Sequence, residues 1–175
     1  MALLPIITAP DTRLREVSQP VDAVDETIRK LLDDMLDTMY AAPGVGLSAI
    51  QVGVAQRIIV IDTAKDPDPP QPVRMINPEI IWRADEIGPF EEGCLSFPQI
   101  FAEVTRPERC KVEAYTPAGE RFETEYDGFT SRILQHEYDH LEGVLLVDRM
   151  SAADKQLNKA ALQELVEEFR ASRSA

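Results

Sequence analysis

The sequence contains two histidines, and both lie in one pentapeptide, His136-Glu137-Tyr138-Asp139-His140. On an α-helix, side chains four residues apart lie on the same face, one turn above the other. Two imidazoles in that arrangement can bind one divalent metal ion, and the Glu137 carboxylate then lies where it can act as a general base on a water molecule. A solvated helix with this spacing by chance is the alternative, but it does not account for the use of both histidines. The pentapeptide therefore predicts a metal-binding helix.

A catalytic site with one metal ion also needs a third protein ligand, which the pentapeptide does not supply. The extended motif of the metzincin peptidases has a further histidine at the position that is Leu146 here. The remaining candidates are Cys94, Cys110 and Glu164. Cys110 lies in a segment of alternating polarity and is typical of a packed thiol, whereas Cys94 lies in a turn-like acidic segment. A soft metal favours the Cys94 thiolate, but the residues alone leave the other two open.

The composition limits the class of protein. The chain has 175 residues, of which 44% are hydrophobic and 28% charged, and this predicts one globular domain over residues 1–175. A net charge of −13 opposes broad nucleic-acid binding. Two cysteines do not make a disulfide framework, the first residues lack the basic region of a signal peptide, and no stretch approaches the roughly 18 apolar residues of a membrane span. We therefore expect a cytoplasmic protein without a membrane segment.

Hydrophobic periodicity predicts one helix followed by strands. An apolar stripe from Val24 to Met39 predicts a helix that ends at Pro43 and Gly44. Strands are expected at 57–62 and at 75–82, the second interrupted by Pro78, with a proline-rich surface loop at 63–72 between them. Alternating polarity predicts a hairpin of residues 109–115 and 121–126.

Two helices are predicted after the hairpin. The histidine helix is expected to begin at Gly128 and to end at Gly143. Ser151 is the predicted N-cap of the last helix, whose apolar stripe comprises Leu157, Ala161, Leu165 and Phe169. Because strands and helices do not alternate, this order predicts an α+β fold.

Two further segments are rich in small residues. Residues 44–51 read Gly-Val-Gly-Leu-Ser-Ala-Ile-Gln and allow close approach of a ligand or of a packed helix, and residues 92–96 read Glu-Gly-Cys-Leu-Ser. With the pentapeptide 136–140, they resemble the three motifs of the peptide deformylases, in the same order and across most of the chain. The first segment differs slightly, with Ser48 where an alanine is common.

The resemblance implies an enzyme that removes the N-formyl group from the formyl-methionine of nascent polypeptides and releases formate. It implies one divalent metal ion bound by Cys94, His136 and His140, with Fe²⁺ in the native enzyme and Zn²⁺, Ni²⁺ or Co²⁺ as substitutes. The implied fold is α+β, with mixed or antiparallel sheets packed around a central metal-binding helix and with an N-terminal and a C-terminal helix.

The resemblance also implies roles around the reacting atoms. Glu137 would take a proton from water and deliver it to the leaving amine. The Gln51 side-chain amide and the Leu95 backbone N–H would donate to the formyl oxygen as charge develops there. Gly46 would allow the substrate backbone to approach closely.

A methionine side chain needs an unbranched apolar slot. Phe101 occupies a place where some relatives carry an arginine near the substrate backbone. We expect the lining of the slot to comprise Val45, Phe90, Phe129 and Ile133.

Two charge-based expectations concern the surroundings of the site. Glu92 and Arg106 are expected to pair and to hold the Cys94 segment in place. In relatives a C-terminal helix docks on the ribosome, and the last helix here carries charges of both signs. The resemblance thus implies ribosome contact as a partner role, but the mixed charge of this helix favours packing on the domain as the default.

Two other functions are compatible with parts of the pattern. A zinc endopeptidase would use Glu164 as third ligand, and it would keep its metal after Cys94→Ala. A non-catalytic binder of nascent chains or of metal would not need Glu137 and Gln51, and both are present.

Overall fold

Seven strands form two antiparallel sheets in the computed structural model, which describes residues 2–65 and 67–174. The larger sheet has the order β1-β2-β3-β6-β7, and the smaller one consists of β4 and β5. The strands are β1 (Gly46–Ser48), β2 (Ile58–Ile61), β3 (Val73–Arg83), β4 (Ile87–Cys94), β5 (Phe97–Pro107), β6 (Arg109–Tyr115) and β7 (Arg121–Asp127).

Helices lie before, between and after these strands, so the fold is α+β as predicted. Two 3₁₀ turns, Thr12–Arg15 and Ala49–Val52, add short local structure. No helix in the described ranges is long and apolar enough to cross a lipid bilayer. The helices are α1 (Glu26–Ala41), α2 (Gly128–Leu141), α3 (Leu146–Arg149), α4 (Ala152–Leu157) and α5 (Lys159–Ser174).

The predicted first helix is confirmed as α1. Asp25 caps it, since its carboxylate accepts a hydrogen bond from the Ile28 N–H at 3.1 Å. Its apolar stripe is buried, with Leu32, Met35 and Met39 in one cluster with residues of β1 and β2. This packing holds the Gly44–Gln51 segment against the sheet.

The second predicted strand is confirmed as β3, which is one strand whose pairing with β6 is interrupted at Pro78. The chain accommodates the proline in a bulge, where the pairing with β6 shifts between Ile76 and Glu79. Asn77 adopts a positive φ of 52°, and its side-chain amide bonds to both backbone groups of Val21. A bulge leaves a residue outside the ladder, so the missing proline N–H costs no strand pairing.

Strands β4 and β5 were not predicted. They pair from Ile87 and Pro107 to Cys94 and Phe97, so Cys94 lies beside the two-residue turn of a long hairpin. Pro89 and two glycines lower the strand propensity of β4. The sequence signal for this hairpin is the alternation Ala102-Glu103-Val104-Thr105 in β5, whose apolar residues are buried.

The predicted last helix is divided in two. Ser151 does cap α4, since its hydroxyl accepts from the Asp154 N–H at 3.1 Å. Asn158 then ends α4, and its side chain bonds to the Phe101 carbonyl oxygen at 3.0 Å. Leu157 is 82% exposed, so its assignment to the apolar stripe is wrong, whereas Leu165 is buried.

Helix α2 is central, as predicted. It packs against β1, β2, β5, β6 and β7, and it therefore contacts both sheets. Its buried residues Ile133, Leu134 and Leu141 belong to the apolar cluster under the β6–β7 hairpin. This position brings the histidine-bearing face of α2 towards the tip of the β4–β5 hairpin.

Candidate metal centre

Helix α2 carries the two histidines on its buried side. His136 is 5% exposed and His140 is 1% exposed. Their rings meet edge to face, with centroids 5.2 Å apart. The i, i+4 spacing on this helix therefore gives the shared face that the sequence predicted.

Cys94 reaches the histidines from the tip of the β4–β5 hairpin. Its Sγ lies 3.4 Å from His140 Nε2. One ligand atom from each of Cys94, His136 and His140 lies within 4.8 Å of the other two, and this is the one such group of metal-ligating side chains in the described residues. Of the three candidate third ligands, the structure thus brings Cys94 to the two histidines.

The other two candidates lie elsewhere. The Cys110 thiol is buried in β6 and accepts a hydrogen bond from the Ser131 hydroxyl at 3.4 Å. Burial raises the pKa of this thiol, which opposes the thiolate that metal binding needs. Glu164 lies on α5 with an exposed side chain and outside the Cys/His/His group.

The geometry of the three residues fits a metal ion. Bonds of about 2.3 Å to sulfur and about 2.0 Å to nitrogen place two ligands of a tetrahedral ion about 3.5 Å apart. The Cys94 sulfur and His140 Nε2 are separated by 3.4 Å. A thiolate with two imidazoles suits zinc or a similar transition metal.

A buried ion-pair network orients His136. Its Nδ1 lies 3.0 Å from Glu92 Oε1, so Nε2 remains for the metal. Arg106 donates two hydrogen bonds to Glu92, at 2.7 and 3.0 Å, and one to Asp139 at 3.0 Å. Burial opposes ionisation of Glu92, but its bonds to His136 and Arg106 outweigh burial and lower its pKa. The predicted pairing of Glu92 with Arg106 is confirmed.

The pKa values of the two histidines are shifted in opposite directions. Burial opposes a charge on both rings. At His136 the neighbours Cys94, Glu92 and Glu137 outweigh burial, so the pKa of its imidazole lies well above the ordinary value. At His140, burial and the charge of His136 hold the pKa well below the ordinary value. The groups around His136 therefore favour one positive charge, which a protonated His136 supplies. A bound metal cation supplies the same positive charge.

Glu137 lies beside the ligands with an unused oxygen. It is 4% exposed, and its Oε1 has no hydrogen-bond partner in the described part of the chain. Burial raises the pKa of Glu137 to about 7, against an opposing effect of His136. Such a carboxyl can gain and lose a proton near neutral pH.

Gln51 and Leu95 both lie close to Cys94. Gln51 is buried, and its Nε2 lies 3.7 Å from Cys94 Sγ. Leu95 follows Cys94 in the hairpin turn, and its side chain packs on Gly44, where an added Cβ would be 2.7 Å from Leu95 Cδ1. Both residues are thus next to the candidate centre.

A cavity of about 660 Å³ opens at the centre. His136, Glu137 and Cys94 form part of its wall, and most of the remaining wall is apolar. Four of the five residues predicted to contact substrate line it, namely Val45, Gly46, Phe129 and Ile133.

Phe90 is the exception, because it does not line the cavity. Its ring contacts the Phe129 ring at a tilt of 48°, with centroids 5.6 Å apart, and Phe90 is 42% exposed. Phe101, which is 55% exposed, does line the cavity. Phe90 therefore contacts Phe129 from outside the cavity, and its role in substrate binding stays a prediction.

Known proteins are similar to this chain in sequence and in fold. A profile of the polypeptide deformylase family matches residues 3–156. The peptide deformylase of Phenylobacterium zucineum (strain HLK1) is 48% identical over 156 residues, which cover 89% of this chain and 92% of the relative. The peptide deformylase of Methylocella silvestris is 47% identical and covers 99% of this chain and 93% of the relative.

The chain belongs to the polypeptide deformylase family.

Solved deformylase structures agree with this assignment. A plant peptide deformylase superposes with a TM-score of 0.93 and 40% identity, covering 98% of this chain and 94% of that one. The Thermotoga maritima peptide deformylase gives a TM-score of 0.82 at 44% identity, covering 86% of this chain and 99% of that one. Deformylases are metal-dependent enzymes that remove the N-formyl group from nascent peptides, and this chain is an enzyme of that family.

Several residues around the deformylase site have a role that the sequence does not predict. Ser48 and Ser96 are both fully buried and bond to Gln51. Ile6, from the irregular N-terminal arm, lines the cavity. Ser48 and Ser96 belong to the two segments that are rich in small residues, but the sequence does not show which group a serine hydroxyl bonds to. Ile6 lies in no motif, so only the fold places it here.

Proposed function

We propose that this deformylase acts on the formyl-methionine at the start of nascent polypeptides, with Cys94, His136 and His140 as metal ligands and Glu137 as the proton carrier. One observation supports this most strongly: a buried carboxyl group with an unused oxygen adjoins three convergent ligand atoms. Three of these four residues, Cys94, His136 and Glu137, line one mostly apolar cavity. A cavity of this kind suits a mostly apolar ligand with one polar reacting group.

The native metal in this proposal is Fe²⁺, with Zn²⁺, Ni²⁺ or Co²⁺ as substitutes. Thiolate and imidazole ligands are compatible with all four ions. When bound, the ion acts as a Lewis acid that lowers the pKa of a water molecule and polarises the formyl carbonyl.

Glu137 carries the proton in this proposal. Its carboxylate accepts a proton from the attacking water, and it delivers that proton to the methionine nitrogen as the C–N bond breaks. The products are formate and a free amino terminus. Burial raises the pKa of Glu137, which favours uptake of this proton by its carboxylate.

Gln51 and Leu95 stabilise the negative charge that develops on the formyl oxygen. Each would donate one N–H, from the side-chain amide of Gln51 and from the backbone of Leu95. One such donor contributes about 2.7–4 kcal/mol to transition-state stabilisation.

Size gives specificity for formyl over acetyl groups. A formyl carbon carries hydrogen where an acetyl carbon carries a methyl group, and a tight site excludes the larger group by overlap. The methionine side chain would enter the apolar part of the cavity between Val45, Phe129 and Ile133.

Location and partners remain predictions. Action on nascent chains and two free cysteines favour the cytoplasm. Contact with the ribosome through α5 is tested by co-sedimentation with ribosomes, comparing the full chain with a variant in which the exposed basic residues of α5 are neutralised.

The deciding experiment is formate release from formyl-Met-Ala-Ser, with metal analysis of anaerobically purified protein. Cys94→Ala should lose both metal and activity, whereas Cys110→Ala should keep its metal. Glu137→Gln should keep its metal and lose activity, because it removes the proton acceptor and no ligand. Metal retention by the Cys94→Ala protein would contradict the ligand set, and no formate release by metal-loaded wild-type protein would contradict the substrate.

A further inference from the structure

Gln51 is held in one orientation by its neighbours. Its Oε1 accepts two hydrogen bonds from Ser48, one from the backbone N–H and one from the hydroxyl, each at 3.0 Å. A backbone N–H can only donate, so the amide oxygen must face Ser48. The amide nitrogen therefore faces the opposite way, towards Cys94.

A second serine holds the nitrogen end. Gln51 Nε2 donates to the Ser96 hydroxyl at 3.0 Å. The Ser96 hydroxyl in turn donates to the Ile7 carbonyl oxygen at 2.7 Å, so its oxygen is free to accept. One Nε2 hydrogen is used in this way, and the other is directed towards Cys94 Sγ, 3.7 Å from the nitrogen.

We infer that Ser48 is a positioning residue for the deformylase reaction, because its hydroxyl fixes the Gln51 amide with an N–H directed at the metal centre. Ser96 does the same at the nitrogen end. This inference rests on the proposed role of Gln51 as a donor to the formyl oxygen.

The hydroxyl of Ser48 is separable from the backbone bond. Any residue except proline at position 48 can offer its backbone N–H to Gln51 Oε1, but alanine has no second donor. Ser48 is fully buried, and so are Gln51 and Ser96, so water does not compete for these bonds. With one bond lost, the amide rotates more freely and its donor is less well aimed.

The test compares Ser48→Ala with Ser18→Ala. Ser18 is also buried, at 2% exposure, but its hydroxyl has no partner in the described part of the chain. We expect Ser48→Ala to lower kcat for formyl-Met-Ala-Ser roughly three- to tenfold, which corresponds to one net hydrogen bond, with KM and metal content within about twofold of wild type. Ser18→Ala should change none of these values.

A spectroscopic readout separates positioning from general stability. In Co²⁺-loaded protein, the thiolate-to-cobalt absorption band reports on the groups around the Cys94 sulfur. Ser48→Ala should shift this band because the Gln51 N–H near the sulfur is less well held, whereas Ser18→Ala should leave it unchanged. An unshifted band in Ser48→Ala would overturn the inference, and so would a wild-type kcat.

The Gln51→Ala variant separates a failure of the proposed Gln51 role from a failure of the positioning role of Ser48. If Ser48 acts through Gln51, Ser48→Ala should cost nothing further in kcat in the Gln51→Ala background, and Ser96→Ala should behave likewise. An equal loss in both backgrounds would overturn the positioning role. Wild-type kcat in Gln51→Ala itself would instead overturn the proposed role of Gln51. An impaired Gln51→Ala with an unimpaired Ser48→Ala would overturn the inference alone.

Discussion

Gly46 shows how a missing side chain can position a reacting group. A Cβ added at Gly46 would lie 2.7 Å from Glu137 Oε2 and 2.9 Å from Ile133 Cγ2. The sequence suggested that this glycine gives room to the substrate backbone. In the structure it also gives room to the Glu137 carboxylate, the proposed proton carrier.

Gly46→Ala should therefore lower kcat by displacing the Glu137 carboxylate. A displacement of about 1 Å can cost roughly a hundredfold in rate. Metal content should stay at the wild-type level, because neither Gly46 nor Glu137 is a ligand in the proposed set. Steady-state kinetics with metal analysis measures both.

Ile133→Ala provides the control for Gly46→Ala. In the Gly46→Ala, Ile133→Ala double variant, the contact with Ile133 is relieved and the contact with Glu137 remains. Activity should stay low in the double variant. Recovery to the level of Ile133→Ala alone would show that Glu137 is not the group displaced.

The third metal ligand shows the limit of reading single residues. The spacing of His136 and His140 predicts a shared helical face, since helix geometry is local. Nothing in the spacing of Cys94, Cys110 and Glu164 distinguishes them, because their distance from the histidines depends on how the hairpin tip folds over α2. The motif resemblance favoured Cys94, and the structure brings its sulfur to the histidines.

Arg106 connects three elements, as it lies on β5 and bonds to Glu92 on β4 and to Asp139 on α2. Its side chain is 6% exposed. Arg106→Ala would leave Glu92 buried without its cation, which commonly costs about 3–5 kcal/mol of stability. It would also free the group that orients His136.

We expect Arg106→Ala to weaken metal affinity by about 10–100-fold, as is typical when a partner of a ligand is removed. Metal content after dialysis against graded chelator concentrations measures this effect. Arg149→Ala is the matched control, because Arg149 also bonds to Asp139 but is largely exposed and does not reach Glu92. Equal metal loss in both variants would mean that the bond to Glu92 is not what matters.

Tyr40 connects the end of α1 to the end of β2. Its hydroxyl donates to Asp62 Oδ2 at 2.5 Å. Burial, followed by this bond and the charge of Asp62, raises the pKa of Tyr40 from 10.0 to about 12. The folded state therefore favours the protonated phenol.

This shift predicts a loss of stability at alkaline pH. Above pH 10 the unfolded chain releases the Tyr40 proton while the folded chain still holds it, so the free energy of unfolding should fall between pH 10 and 12. Tyr40→Phe should show a shallower decline over that range. Urea unfolding at a series of pH values measures both proteins, and parallel curves would contradict the shift.

Helices and strands were predicted correctly where a local sequence pattern specifies them. They were missed where contacts with distant segments determine the structure. The stripe of α1 and the β6–β7 hairpin were predicted because periodicity and turn residues specify them. The β4–β5 hairpin was missed because Pro89 and glycines weaken the propensity of β4, and pairing with β5 compensates. The break at Asn158 was also missed, because it depends on a bond to Phe101 in a distant strand.

At the scale of the whole molecule, the candidate centre joins two parts of the fold. Cys94 comes from the smaller sheet, and both histidines come from α2, which also packs on the larger sheet. A metal ion bound by all three residues cross-links the hairpin tip to the central helix. Metal binding to the folded state alone must then stabilise the whole domain.

Metal removal should therefore lower the Tm measurably. At a free metal concentration of about 100 times Kd, binding contributes about 2.7 kcal/mol, which corresponds to about 5–10 °C for a domain of this size. Scanning calorimetry with and without chelator measures this difference. Amide hydrogen exchange should also become faster around Cys94 and Leu95 in the metal-free protein, since the hairpin tip loses its link to α2.

Two variants make the Tm prediction specific to the proposed ligand set. Glu137→Gln removes no ligand, so its Tm should still rise on metal addition. Cys94→Ala removes the ligand from the hairpin, so its Tm should respond little. A full rise in Tm in Cys94→Ala would show that the ion binds without linking the hairpin to α2. The proposed cross-link would then not be the cause of the stabilisation by metal.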